Sequence, residues 1–463
     1  MATDPALPSK KVFLHIGAPK SGTTFVQGVL WRNAGALYEA GVLLPGGSFA
    51  AHVSATRDLR GLVPEEDDPS NDWTGTWDRL VTQITESEAH TAVISNEVIC
   101  AVDAEQARRA VESLAPAEVH VIYSARDLAS LLPSEWQEYV KHRFHFDFDH
   151  WLREVVDGPR HEGAAQWFWK VHDIPEVLSR WTAVIPPERV HVVTMPPPGS
   201  PHELLWQRFA SVIGVDPEVV DLSKSRANAS LSWTETELLR RVNHALDPEV
   251  PMWLYHRLVT DVLALKVMPG RGAPGRVALP PDRREWAEQE ARRLVKSVEE
   301  AGYTVTGDLD ELLPAPPAEG RGEGTPPNER ELLDASTHAI LGLLERISML
   351  REEIGDLKSE KAEQRRTALP KVMARHLSER SKAVWKMRVG YWHLMERVRG
   401  IEPPMPELDE NGELIEDEDL GPALSTRTQR TSSPQSNVPQ PDVQQSNVQQ
   451  SGVPQPDVQQ PAP

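Results

Sequence analysis

Residues 11–33 read KVFLHIGAPKSGTTFVQGVLWRN, and their reading decides the fold. Lys11–Ile16 is a short, mostly apolar run of the length expected for a buried strand. Gly17, Pro19 and Gly22 break it, and an amphipathic helix is predicted to start near Gly22 or Thr23. In a strand–turn–helix of this kind, backbone N–H groups converge on one point and the helix dipole adds positive potential there. Gly17 and Gly22 permit positive φ and the close approach that a phosphate-like anion requires. Lys20 supplies a mobile cation, while Ser21, Thr23 and Thr24 supply hydroxyl donors. The plainer alternative is an ordinary strand–turn–helix in which Ser and Thr serve only as caps. The run from Gly17 to Thr24 in that context argues against it.

Outward from this loop, Thr91–Ser95, Glu118–Ser124 and Arg189–Thr194 are further short runs rich in β-branched residues. Helical periodicity lies between them, in Trp77–Glu86, Ala104–Leu114 and Leu204–Ile213. This alternation predicts an α/β fold with a parallel sheet flanked by helices. Trp233–Leu246, Trp253–Leu265 and Arg284–Ala301 read as additional helices around it. The α/β domain is expected to span 1–312, followed by a Pro-, Gly- and Glu-rich linker at 313–328.

Beyond the linker the pattern changes. Within 329–366, Leu333, Ile340, Ile347 and Ile354 fall at seven-residue spacing, with Leu343, Leu350 and Leu357 at the complementary positions. That is the a/d pattern of a two-stranded parallel coiled coil, with Glu353 and Lys358 in pairing register, and it implies a homodimer through 333–357. A single amphipathic helix lying on the enzyme domain is the alternative, and Gly342 and Gly355 weigh against the coiled coil. Residues 367–400 read as a basic amphipathic helix. Contact of 371–399 with an anionic membrane surface is one reading; docking on the protein itself, beside the acidic run Glu402–Asp419, is favoured. The remainder of 401–463 is Pro- and Gln-rich, with SNVPQPDVQQ at 436–445 nearly repeated at 451–460, and is expected to be disordered.

The net charge of −20 excludes a general nucleic-acid binder but not a bound nucleotide, for which one local cluster of donors is enough. Cys100 is the only cysteine, so an intrachain disulfide and a Cys-rich metal site are excluded. No signal-peptide core and no membrane-spanning run is seen, and a cytoplasmic protein is the expectation.

A Walker A loop places its lysine after the second glycine. Here Lys20 precedes Gly22, and Thr23 stands where that lysine would be. The order resembles the 5′-phosphosulfate loop, PKxGTT, of the P-loop sulfotransferase family. The resemblance covers roughly residues 11–310. It implies 3′-phosphoadenosine-5′-phosphosulfate (PAPS) as co-substrate, no metal, and a hydroxyl or amine acceptor such as a small molecule or carbohydrate. Gly17, Pro19, Lys20, Ser21, Gly22, Thr23 and Thr24 would then hold the donor's 5′-phosphosulfate, with Lys20 steadying the leaving group.

The family also sets an arginine at the end of a central strand and a serine eight residues on, both on the donor's 3′-phosphate. Arg126 and Ser134 have that spacing, and the alternative for Arg126 is an ion pair with Asp127. An acceptor needs a base. Glu97, directly after the run Thr91–Ser95, lies at the sheet edge where ligands of open α/β folds bind. His52 is the second candidate; other branches of the family use histidine. His15, inside the first strand, is expected to be a core histidine, and the Trp-rich segment 166–181 to be core rather than an acceptor pocket. The chain departs from the family at Phe25, where tryptophan is common. It departs again at the late Gly- and Lys-rich loop, for which Lys266 and Pro269–Gly272 are the candidates. Two rivals remain: a P-loop kinase or NTPase, and a non-catalytic relative serving assembly.

Overall fold

The computed structural model describes residues 10–63, 72–224, 231–269, 275–315 and 326–380; of 224, 360 and 362–380 only the backbone is described. Gly270, Arg271 and Gly272, most of the basic segment 371–399, the acidic run and the repeat-bearing tail lie outside the described residues. The chain divides into two compact units, one running up to Leu343 and the other beginning at Leu344.

The first unit is built on six parallel strands: β1 Lys11–Gly17, β2 Val42–Leu43, β3 Thr91–Ser95, β4 Glu118–Ala125, β5 Val190–Thr194 and β6 Thr304–Thr306. Their order is β2-β3-β1-β4-β5-β6. β1 reads as a continuous apolar run because both its faces are covered. Val12, Leu14 and Ile16 enter one core cluster and Phe13 the other. Each such fully buried side chain contributes about 1.5–3 kcal/mol relative to exposure.

Helices cover the two faces. On the way to β4 run α1 Thr23–Arg32, α2 Ala34–Glu39, α3 Phe49–Leu59, α4 Thr76–Glu86 and α5 Ala104–Ser113. Between β4 and β5 lie α6 Leu128–Lys141, α7 Phe148–Asp157, α8 Gly163–His172 and α9 Ile174–Thr182. After β5 come α10 Leu204–Ile213, α11 Trp233–Ala245, α12 Met252–Tyr255, α13 Arg284–Ala301 and the long α14 Glu329–Arg380. Trp167, Trp169 and Trp181 are buried in the core, as expected of that segment. Trp253–Leu265 was expected as one α-helix. Instead the short α12 passes into a π-helical stretch, His256–Val267. Over a dozen residues, the apolar spacing of the two helix types is too alike to separate them.

The order of strands positions the site. From β1 the chain moves outward to β2 and β3 on one side, then crosses to β4 on the other. The carboxyl end of β1 therefore borders a topological switch point, flanked by the turns after β3 and β4.

Candidate active site

Three turns meet at that crevice. The turn after β1 is tied to β4 by the Ala18 N–H, which donates to the Ser124 carbonyl at 2.9 Å. The turn after β3 is tied to β1 by the Asn96 N–H, which donates to the His15 carbonyl at 3.1 Å. From the end of β4, Arg126 Nη1 donates to the Lys20 carbonyl at 3.0 Å. Lys20 and Arg126, 106 residues apart in sequence, are thus brought onto one rim.

The loop's shape follows from its residues. Gly17 has φ 128°, and a Cβ there would stand 2.7 Å from the Glu97 carbonyl oxygen. Gly22, at φ 85°, caps α1 with no side-chain hydrogen bond. A Cβ on Gly22 would stand 2.4 Å from Leu205 Cδ2. Both glycines are needed for close approach as well as for left-handed backbone. Lys20 takes φ 57°, a region costly for a residue with a Cβ. The Ser21 hydroxyl donates to the Ala18 carbonyl and Ser21 is buried, so its donor fixes the turn. Thr23 is buried and Thr24 half-buried at the start of α1.

Lys20 Nζ reaches the carboxylate of Glu138 on α6, which also accepts from Lys141 Nζ at 2.5 Å. His142 Nε2 stands 3.4 Å from the other oxygen. Burial pushes Lys20 toward its neutral form, but Glu138, Glu135 and Glu97 outweigh it and raise its pKa. Burial likewise opposes charge on Glu138, yet Lys141, Lys20 and His142 hold it well below the usual carboxylate range. For Lys141 burial prevails over Glu138, and its pKa falls. Glu135 and His172, both buried, face each other at 3.1 Å nearby. A water-sized cavity lined by Ala18, Pro19, Ser21, Arg126 and His172 lies behind the loop.

Glu97 is buried in a short 3₁₀ turn, Glu97–Ala101, capped by Asn96 Oδ1, which accepts from the Val98 N–H at 2.9 Å. Its Oε2 accepts from Gln27 Nε2 of α1 at 2.6 Å. Its charge also acts on Lys20, which brings Glu97 to the same crevice. His52 is built differently. Its Nε2 meets the Pro45 carbonyl at 2.9 Å, and its Nδ1 accepts from the Ser95 N–H at 3.1 Å. Burial holds it neutral, with a pKa of about 4, and backbone groups occupy both ring nitrogens. His15 is a core histidine, bridging Ser95 Oγ at 2.7 Å and Ser124 Oγ at 3.1 Å.

Asp127 caps α6 by accepting from the Ser130 N–H at 2.8 Å rather than pairing with Arg126. The Ser134 hydroxyl donates to the Ser130 carbonyl at 2.8 Å, inside its own helix. Burial lowers the pKa of Arg126 and Asp127 raises it, while the nearby like charge of Arg276 lowers it further. A second guanidinium thus stands near enough to the first to repel it.

No family model matches the chain, and no curated relative matches it. Among solved structures, a sulfotransferase from Alicyclobacillus acidocaldarius is 15% identical with a TM-score of 0.36, covering 65% of this chain and 97% of its own. At that distance the likeness carries no chemistry. Among the described residues, no three His, Cys, Asp or Glu side chains are grouped as metal ligands.

Sequence reasoning missed Glu135, Glu138, Lys141 and His142. A signal was present: Glu138 lies three residues after Glu135, and Lys141 and His142 three and four after Glu138, along one face of a largely apolar helix that starts at the carboxyl end of a strand. Gln27 on α1 gave no signal, since its role depends on Glu97. Arg276 was hidden beside a Gly- and Pro-rich stretch.

Proposed function

We propose that the protein transfers a sulfuryl group from PAPS to a hydroxyl or amine acceptor by in-line displacement. The observation that carries this reading is the meeting of the reversed loop GAPKSGTT with Arg126 at one sheet edge. Such a rim supplies a cation, an uncapped helix start and a guanidinium for an anionic donor. The loop N–H groups and Thr23 and Thr24 hold the 5′-phosphosulfate. Arg126 holds the 3′-phosphate, with Ser134 rotating from its helix carbonyl to join it and the nearby Arg276 adding positive charge.

Glu97 takes the acceptor's proton as the new bond to sulfur forms. Lys20 exchanges Glu138 for the bridging oxygen, which gains charge as its bond to sulfur breaks and adenosine 3′,5′-bisphosphate leaves. Glu97 is the better base because it accepts from the neutral Gln27, whereas Glu138 is clamped by two lysines. His52 keeps the runner-up place only if the backbone releases one of its nitrogens.

Calorimetric binding of adenosine 3′,5′-bisphosphate is the test, against ATP–Mg²⁺ and in Lys20→Ala and Arg126→Ala. Binding is expected without metal, and each variant is expected to weaken it ~10–100-fold, the worth of a charge-assisted hydrogen bond. Preference for ATP–Mg²⁺ would move the protein to the kinases. Binding of neither would leave the non-catalytic, assembly reading.

A further inference from the structure

α14 presents an apolar stripe to solvent. Leu333, Ile340, Ile347 and Ile354 are 67%, 59%, 47% and 49% exposed, and Leu350 and Leu357 are 38% and 63% exposed. Leu332 and Ala339 are buried within the first unit, and Leu343, a d position, packs on its core, so the stripe lies open chiefly from Ile347 to Leu357. Exposed apolar patches of this kind are rare on monomers and mark association.

We propose that residues 333–357 pair with the same segment of a second copy as a parallel, two-stranded coiled coil. The seven-residue spacing selects the occupant. From Ile340 to Leu357 the a and d positions are all apolar, with Ser336 the one polar d position before them. Such a stripe complements another helix bearing the same stripe, and Ile at a with Leu at d favours two parallel strands. Glu353 and Lys358 occupy g and e′ and attract across that seam. Arg346 and Arg351 fall in the like-charged register, but Glu353 lies 3.6 Å from Arg346 and offsets it. Gly342 and Gly355 sit at outer heptad positions, where they leave the seam intact but weaken a lone helix by about 1 kcal/mol each. Such a helix gains its stability from a partner. The seam ends after Leu357, where Lys361 and Gln364 take the next a and d positions. A membrane is the poorer occupant, because Glu345, Glu352, Glu353 and Asp356 alternate with the basic residues and leave no cationic face.

The inference stands apart from the sulfuryl-transfer reading, and neither test bears on the other. Sedimentation equilibrium of the full chain at micromolar concentration is expected to give twice the chain mass. Ile347→Lys with Ile354→Lys should raise the dimer dissociation constant ~100-fold or more. Leu341→Lys, an exposed position off the seam, should leave it unchanged. With Cys100→Ala as background, Leu357→Cys should cross-link two chains on mild oxidation, as only a parallel, in-register pair allows. A monomeric wild type, a trimer, or a dimer indifferent to the double substitution would overturn the proposal. So would Leu341→Lys acting as strongly as the double variant, or a failure of Leu357→Cys to cross-link.

Discussion

Glu138 binds two lysines through a single carboxylate, and Lys20 is one of them. Breaking a buried ion pair by removing one partner leaves the other charge uncompensated, at about 3–5 kcal/mol. Here two ammonium groups would be left facing each other. Glu138→Gln should therefore lower the urea unfolding free energy by about 3 kcal/mol or more. An unchanged midpoint would mean that solvent, not this carboxylate, holds the lysines. Gly17 tests the loop by shape alone. At φ 128°, with the Glu97 carbonyl oxygen 2.7 Å from any added Cβ, Gly17→Ala must move either the loop or Glu97. It should cost about 2–3 kcal/mol through strained backbone and clash together, read by thermal unfolding. A tolerated alanine would show that the turn relaxes freely.

Elements hold these residues where they are, and their ends are set by local chemistry. At α5, Asp103 accepts from the Gln106 N–H at 2.8 Å while Gln106 Oε1 accepts from the Asp103 N–H at 3.0 Å. Asp103→Ala removes one half of this reciprocal cap and should cost about 1 kcal/mol in urea unfolding. A loss below a few tenths would mean that water replaces the cap. The long elements were legible in the sequence for the same reason that they are stable. β1, β3, β4 and β5 are buried runs, and α4, α10 and α13 carry one apolar face, so pattern and packing coincide. β2 and β6, of 2 and 3 residues, are too short to carry a pattern. The neighbourhood of β6 depends on distant groups, where Glu311 accepts from Arg208 at 2.6 Å. The site divides in the same way. The loop and Arg126 were legible because chain order and strand ends announce them. The Lys20–Glu138 pair was not, since it joins residues 118 apart that only the folded sheet brings together.

At the scale of the molecule, buried histidines couple the fold to pH. Burial pushes His15 down to about 3, and burial likewise brings His52 and His256 to about 4, against an ordinary value of 6.5. The unfolded chain therefore binds more protons than the folded one between pH 6.5 and about 4. Stability is full above 6.5 and falls as pH drops through that window. Each such histidine contributes about 1.4 kcal/mol of loss per pH unit once well below its unfolded value. His15 is the cleanest reporter. Neutral groups surround it, the Ser95 and Ser124 hydroxyls and the Phe209 ring, so its titration is set by desolvation. Urea unfolding of wild type from pH 7 to pH 4.5 should show the steep decline. His15→Asn should be less stable at pH 7, yet its slope should be shallower by about 1.4 kcal/mol per pH unit. Parallel slopes in the two proteins would sink the assignment, because a residue neutral in both states cannot contribute to pH dependence.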